Sequence, residues 1–152
     1  MSLHVHGSFE PSAARVPVGD LVAALKRADA GLPAVPARQP CGLPQWRLKR
    51  VVAYVETHLG EPVTLADMAG AAGLSRMHFA AQFRATTGQR PHEYLLTRRI
   101  ARARGMLLET RESVVQIALG VGFQTQAHFT TVFRRFVGET PYRWRCAHRA
   151  GA

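Results

Sequence analysis

Cysteine and long apolar runs are scarce in this sequence. Cys41 and Cys146 are the two cysteines among 152 residues, far apart and with no further cysteine or histidine at ligand spacing. A structural zinc site needs about four ligands in paired spacings, and two thiols do not make a disulfide framework. We therefore expect no metal and a reducing compartment, the cytoplasm. The apolar stretches are short and interrupted by charge, so the sequence predicts no bilayer-spanning segment and no membrane partner.

Sequence motifs of catalysis are also missing. There is no glycine-rich phosphate loop, nucleophile elbow or His/Glu metal motif. His78 and His128 have no nearby acid or thiol that would complete a site, so packing or a local hydrogen bond is their expected role. Residues 1–10 contain neither a basic segment nor an apolar core, so no secretory signal is expected. The sequence thus predicts no enzyme, no catalytic residue and no cofactor.

Acidic residues are half as numerous as basic ones. Ten Asp and Glu stand against twenty Lys and Arg, a net charge of +10, and eighteen of the basic residues are Arg. From Leu43 onward there are sixteen basic and seven acidic side chains. A basic field of this size attracts nucleic acid, an anionic membrane surface or acidic proteins. The simpler alternative is an arginine-rich protein with solvated helix faces.

Proline divides the chain into two parts. Six of the nine prolines lie in residues 1–44, which predicts an N-terminal arm or linker there. One short helix is expected within it, over residues 20–30, with Gly31 as its stop. Because so short a helix needs something to pack against, we interpret the arm as a remnant of a larger upstream domain. Residues 45–148 are predicted to be helical throughout.

Periodicity and capping signals predict four helices up to Glu109. Thr64 begins the second, with Asp67 as its capping-box partner, Ser75 caps the third, and Pro91 begins the fourth. Three of the helices carry a predicted buried stripe: Leu48, Val51, Val52, Val55 and Leu59 in the first, Leu65, Met68, Ala69 and Ala72 in the second, and Leu96, Ile100, Ala103 and Leu107 in the fourth.

The segment after Glu109 repeats the same plan. Residues 64–74 match 113–123, and after one inserted residue 75–94 match 125–144. Eight pairs are identical, at caps, turns and predicted core positions: Ala69/Ala118, Gly73/Gly122, His78/His128, Phe79/Phe129, Phe83/Phe133, Arg84/Arg134, Gly88/Gly138 and Pro91/Pro141. Two copies indicate a duplicated unit rather than a solenoid.

Each unit has the features of a helix-turn-helix. A small residue, Ala69 or Ala118, lets two helices cross closely, and a glycine four residues later makes the turn. A hydroxyl residue then caps a second helix, which buries two phenylalanines and presents a separate stripe outward. We therefore predict an all-α fold with helix-turn-helix units over residues 64–88 and 113–138, joined by a linking helix over 91–109.

The run from Ile117 to Arg145 resembles the signature of the AraC/XylS family of transcription regulators. It contains the elements Ile-Ala, Val-Gly-Phe, Phe-x-x-x-Phe-Arg-Arg, Gly-x-x-Pro and Tyr-x-x-Arg. The first unit, from Leu65 to Tyr94, resembles the family's upstream half, so the resemblance covers residues 45–148. It implies about seven helices, with two recognition helices placed in successive major grooves of DNA.

The outward stripes are predicted to meet DNA. Gln126 can bind an adenine edge bidentately, and Thr130 and Thr131 can bring methyl groups to thymine. Family members often have larger polar side chains at the positions that Met77, Ala80 and Ala81 occupy in the first unit. Because these three residues cannot make strong hydrogen bonds to bases, shape and methyl contacts are expected there. The predicted base-contacting residues are Met77, Ala80, Ala81, Gln126, Ala127, Thr130 and Thr131, and the predicted phosphate-contacting residues are Arg76, Arg84, Gln124, Arg134 and Arg135. The alternative for each is an exposed helix face.

The linking helix carries three further arginines, Arg98, Arg99 and Arg102. They are predicted to lie away from its apolar stripe, where phosphate contact and simple solvation are equally good interpretations.

These observations favour a sequence-specific regulator that binds a double-stranded DNA operator and associates with the nucleoid. RNA polymerase is expected as a further partner, and dimerisation would use an upstream domain outside this chain. The alternative function is a nonspecific architectural nucleic-acid-binding protein. A membrane-surface role is disfavoured because no predicted helix combines a basic face with a wide exposed apolar one.

Overall fold

Seven α-helices joined by short turns make up the computed structural model, which describes residues 42–149. They are α1 Gln45–Thr57, α2 Leu65–Ala72, α3 Arg76–Thr87, α4 Pro91–Glu109, α5 Val114–Gly120, α6 Gln126–Val137 and α7 Pro141–Arg149. No strand occurs in this range. The predicted all-α class, with two helix-turn-helix units and a long linking helix, is confirmed. The helix predicted over residues 20–30 lies outside the described residues, as does nearly all of the predicted arm.

Side-chain caps begin the short helices. The Thr64 hydroxyl accepts a hydrogen bond from the Asp67 amide at 3.2 Å, and the Asp67 carboxylate accepts one from the Thr64 amide at 2.8 Å. Ser113 and Gln116 form the same reciprocal box at the start of α5. Such caps satisfy amides that the helix itself leaves unpaired. The starts of α2 and α5 are therefore fixed by local chemistry.

Two hydrophobic clusters share the linking helix. The first contains the buried apolar residues of α1, α2 and α3, and Tyr94 of α4 lies against Phe83, with 5.5 Å between ring centroids. The second contains Phe129 and Phe133 of α6 together with Leu96, Ile100, Ala103 and Leu107 of α4. All four residues of the stripe predicted for α4 are buried. Because α4 enters both clusters, it is a packed part of each unit.

Leu65 and Arg99 depart from the predicted burial pattern, and Val52 of the stripe predicted for α1 is only half-buried. Periodicity places Leu65 on the buried face of α2, but this residue is 41% exposed, since it occupies the first turn of that helix. Periodicity also places Arg99 away from the buried side of α4, yet Arg99 is only 7% exposed. The partners of Arg99 come from a turn some forty residues earlier in the chain, which helical periodicity alone does not indicate.

Candidate nucleic-acid interface

Helix α3 is held by its cap and its two phenylalanines. Ser75 accepts a hydrogen bond from the amide of His78, and Phe79 and Phe83 are fully buried beneath the helix. The His78 ring lies 2.9 Å from the Ser75 hydroxyl, through Nδ1, so the predicted local hydrogen bond is present. Inward phenylalanines leave the opposite face of α3 free to present its side chains outward.

Helix α6 is held in the equivalent way. Thr125 accepts from the amide of His128 at 3.2 Å. Phe129 and Phe133 are fully buried, and Phe123, from the preceding turn, packs edge-on against Phe129 at 5.2 Å between centroids. The structure thus builds α3 and α6 as two copies of one supported, outward-facing helix.

A left-handed glycine joins the two helices of each unit. Gly73 has φ +67° and Gly122 has φ +87°. The residue after each glycine donates its amide back across the turn, Leu74 to the Ala69 carbonyl and Phe123 to the Ala118 carbonyl. An L-residue with a Cβ rarely adopts this conformation. The predicted glycine turn is therefore present in both units, and it sets the angle at which α3 and α6 leave the preceding helix.

The residues predicted to contact DNA lie on the outer faces of α3 and α6, or just before α6. Ten are exposed, namely Arg76, Met77, Ala81, Arg84, Gln124, Gln126, Ala127, Thr131, Arg134 and Arg135. Ala80 and Thr130 are half-buried and occupy equivalent positions in the repeat. Met77 stands out because 83% of its surface is exposed. Single exposed apolar residues are common on protein surfaces, so this exposure is compatible with a DNA contact without indicating one.

Arg135 has a partner within the protein. Its guanidinium lies 3.4 Å from the Glu93 carboxylate of α4, and both side chains remain well exposed. Exposed pairs of this kind contribute little to stability, so phosphate could compete for the same guanidinium. Its predicted phosphate contact stays a prediction.

The arginines of α4 differ from one another. Arg98 forms an ion pair with Glu56 of α1, and this hydrogen bond raises the pKa of its guanidinium. Arg99 is buried and donates to backbone carbonyls, so phosphate contact and simple solvation are both wrong for it. Arg102 is exposed, as predicted. Sequence reasoning missed the role of Arg99.

Metal-ligating side chains are not grouped in the described part of the chain. Within residues 42–149 no three His, Cys, Asp or Glu side chains form a group that could hold a metal ion. Among the helices that the structure describes, none is both long and apolar enough to span a bilayer. The polar groups of the outward faces are the arginines, glutamines and threonines already named, which suit phosphates and base edges.

Comparison with known proteins gives a consistent result. A family model described as a helix-turn-helix domain matches residues 68–147. The transcriptional regulator ArgR of Pseudomonas aeruginosa is 32% identical over 118 residues, which cover 78% of this chain and 36% of ArgR. The transcriptional activator RhaS of Escherichia fergusonii is 36% identical over 95 residues, 62% of this chain and 34% of RhaS. The chain therefore spans about a third of the length of these relatives.

Solved structures agree with the fold. An AraC-type transcriptional regulator from Chromobacterium violaceum superposes with a TM-score of 0.65 at 36% identity, covering 70% of this chain and 94% of that one. The DNA-binding domain of AdpA, solved in complex with a target DNA, gives 0.66 at 34% identity, covering 69% and 95%. The chain belongs to the AraC/XylS family of transcription regulators.

Proposed function

We propose that this chain is a sequence-specific DNA-binding transcription regulator that inserts α3 and α6 into successive major grooves of double-stranded DNA. One observation carries the proposal: two equivalent capped helices present exposed faces, while a shared helix connects the units behind them. The relative AdpA binds its target DNA through a domain of the same fold. The chain would act as a binder and not as a catalyst.

The dimensions of α4 support paired binding. Its 19 residues extend about 28 Å at 1.5 Å per residue. Successive major grooves on one side of B-DNA are about 34 Å apart. The shortfall of about 6 Å implies that the DNA bends, or that one helix inserts less deeply than the other. Bending by a few tens of degrees costs about 1–6 kcal/mol, which base and phosphate contacts would have to offset.

The two helices would recognise bases differently. On α6, Gln126 can pair with an adenine edge, while Thr131 and the half-buried Thr130 offer methyl groups to thymine. On α3, Met77, with Ala80 and Ala81 behind it, offers only apolar surface. We therefore propose hydrogen-bonded recognition by the second unit, and thymine-methyl and shape recognition by the first.

Phosphate contacts would fix the position of each helix on the duplex. Arg76 and Arg84 on α3, and Arg134 on α6, are exposed, and helical spacing puts them on the same faces as the predicted base-contacting residues. Gln124, just before α6, and Arg135 would add to them. Such contacts carry affinity without sequence information.

The test measures the affinity of the full chain for a selected operator and for random DNA across a salt series, by fluorescence anisotropy. If about six to eight phosphates are neutralised, the slope of log K against log[salt] should lie near −5 to −7. The operator should bind at least about a thousandfold more tightly than random DNA. Equal affinity for every duplex would instead establish the alternative, a nonspecific architectural protein.

The setting of this activity is part of the proposal. A regulator of this family would associate with the nucleoid in the cytoplasm and contact RNA polymerase. Dimerisation would use a domain other than the helix-turn-helix units, since the relatives ArgR and RhaS are about three times as long as their matched regions.

A further inference from the structure

Each helix-turn-helix unit packs with the helix before it and the helix after it, so that the first unit extends over α1–α4 and the second over α4–α7. These two units meet at two turns. A Cβ placed on Gly60, in the α1–α2 turn, would lie 2.8 Å from the carbonyl oxygen of Gly120. A Cβ on Gly122, in the α5–α6 turn, would lie 2.5 Å from the carbonyl oxygen of Leu59. Real Cβ atoms do not approach backbone oxygens so closely. The turns therefore fit backbone to backbone, and a glycine on each side makes the contact possible.

Arg99 lies at the centre of this contact. Its Nε donates to the Leu59 carbonyl at 3.1 Å and its Nη2 donates to the Glu61 carbonyl at 2.6 Å, so it binds the α1–α2 turn of the first unit. The same guanidinium also approaches the second unit. It lies 5.9 Å from the centre of the Phe123 ring, and a Cβ on Gly122 would be 2.7 Å from its Nη2.

The repeat contains a second copy of the carbonyl contact. Arg149 is eight residues after Pro141, as Arg99 is after Pro91. Its Nε and Nη2 donate to the Leu108 carbonyl, and its Nη2 also donates to that of Thr110. Leu108 and Thr110 correspond to Leu59 and Glu61, so each unit fastens its last helix to the end of its first in the same manner.

The two arginines differ in what covers them. Arg149 is half-buried at the end of α7, whereas Arg99 is almost fully buried. A buried charge needs firm hydrogen-bonding partners, and backbone carbonyls held within a turn provide them. The Arg99 guanidinium is thus held in one position, and Gly122 and Phe123 of the second unit pack against it.

We propose that Arg99, with Gly60 and Gly122, is a positioning residue that fixes the orientation of α6 relative to α3 and thereby the half-site spacing that the protein accepts. The DNA part of this proposal rests on the proposed function. The orientation part does not, because it concerns the free protein.

The orientation is tested without DNA. Spin labels are placed at positions 84 and 134, which are equivalent and exposed on α3 and α6, in a chain with Cys41 and Cys146 replaced by serine. Pulsed dipolar spectroscopy then reports the distance between the two helices. We compare Arg99→Met, which keeps the length and loses the donors, with the matched variant Arg149→Met. Arg99→Met should broaden the distance distribution about twofold or more, while Arg149→Met should leave its width unchanged. Equal widths for the wild type and Arg99→Met would overturn the proposal.

Spacing selectivity is tested with operators that have one or two base pairs added or removed between the half-sites. One added or removed base pair turns the second half-site by about 35° around the duplex, so the affinity of the wild type should fall about 30-fold for each such base pair. Arg99→Met should bind the optimal spacing about tenfold less tightly yet lose only about threefold per added pair, because a looser link tolerates misplacement. Arg99→Lys, which retains a donor, should fall between them. Unchanged spacing ratios in a folded Arg99→Met protein would refute the positioning role even if its melting temperature fell.

A second variant covers the case in which Arg99→Met does not fold. Gly60→Ala keeps Arg99 and adds one methyl group against the Gly120 carbonyl, so it should also flatten the spacing dependence and broaden the label distance. An unchanged spacing dependence and label distance in Gly60→Ala would reject the proposal. If the wild type binds no operator specifically, the proposed function fails, and the label distances still decide the orientation proposal.

Discussion

Replacement of Gly122 by alanine should destabilise the protein in two ways, through the backbone conformation of the turn and through steric contact with the first unit. Gly122 has φ +87°, and a Cβ there would also meet the Leu59 carbonyl and the Arg99 guanidinium. The left-handed conformation costs a residue with a Cβ about 1–2 kcal/mol. Forcing a methyl group into a filled site adds about 1–3 kcal/mol. The expected loss for Gly122→Ala is therefore about 2–5 kcal/mol of the free energy of unfolding.

Two other glycines provide the controls. Gly88 has φ +73°, and a Cβ there would have no atom within 4 Å, so Gly88→Ala should show the conformational cost alone. Gly70 lies exposed in the middle of α2, also with open space around it. Gly70→Ala should therefore stabilise the protein by about 0.5–1 kcal/mol, because alanine favours the helix.

The assay is a thermal melt followed by circular dichroism at 222 nm. In a domain of this size 1 kcal/mol shifts the midpoint by about 4–8 °C. Gly122→Ala should melt at least about 5–10 °C below Gly88→Ala, and Gly122→Val lower still. Equal midpoints for the Gly122 and Gly88 variants would show that the inter-unit contact is not tight. An unchanged midpoint with lost DNA binding would place Gly122 at the DNA instead of in the turn.

Three further predictions concern recognition, spacing and pH. Gln126→Ala or Thr131→Ala should cost about 1–3 kcal/mol of the free energy of operator binding and relax the base preference at one or two base pairs, whereas Arg134→Ala should weaken binding to all duplexes alike. Base preferences that survive both Gln126→Ala and Thr131→Ala would contradict the assignment of α6 as the main base-recognition helix. Adding five base pairs between the half-sites should abolish simultaneous binding by the two units, and adding ten should not restore it, because α4 cannot lengthen by a helical turn of DNA. Full affinity for the operator with ten added base pairs, measured in a band-shift titration, would indicate a flexible tether. Hydrogen bonds from Thr64 lower the pKa of Asp67 below its ordinary value, so the charged carboxylate stabilises the fold above the ordinary carboxyl pKa, and this contribution is lost as pH falls through the folded value. The wild type should therefore melt at a higher temperature than Asp67→Asn near neutral pH, and this difference should disappear in acid. A difference that is constant with pH would argue against the capping charge.

Local chemistry made much of this fold predictable. The residues Thr64, Ser75 and Pro91 begin helices at the predicted places, and α4 extends over residues 91–109 as predicted. Caps and prolines act within a few residues of themselves, so their consequences can be derived without knowledge of the tertiary structure. The positions of the phenylalanines followed from helical periodicity for the same reason.

Arg99 was missed because its environment is not local. Periodicity treats a charged residue as exposed, and the carbonyls that accept from Arg99 belong to a turn about forty residues earlier. Two signals were nevertheless present in the sequence. Arg99 lies one turn from both Leu95 and Ala103, which are buried. Extending the repeat alignment by five residues would also have paired it with Arg149.

The linking helix belongs to both repeats at once. Its first half corresponds to α7, as Pro91 and Tyr94 correspond to Pro141 and Trp144, and Tyr94 packs on Phe83 as Trp144 packs on Phe133. Its part from about residue 94 onward corresponds to α1, because the arginine that closes each repeat binds Leu59 in one case and Leu108 in the other.

Each repeat is thus a four-helix unit, and seven helices make two such units because one helix is counted in both. The shared stretch, about residues 94–99, cannot be given to two fragments of the same molecule. A single cut anywhere in α4 leaves at least one unit without a helix that it needs. A cut within α4 therefore does not yield two complete four-helix units, although the sequence repeats the plan twice.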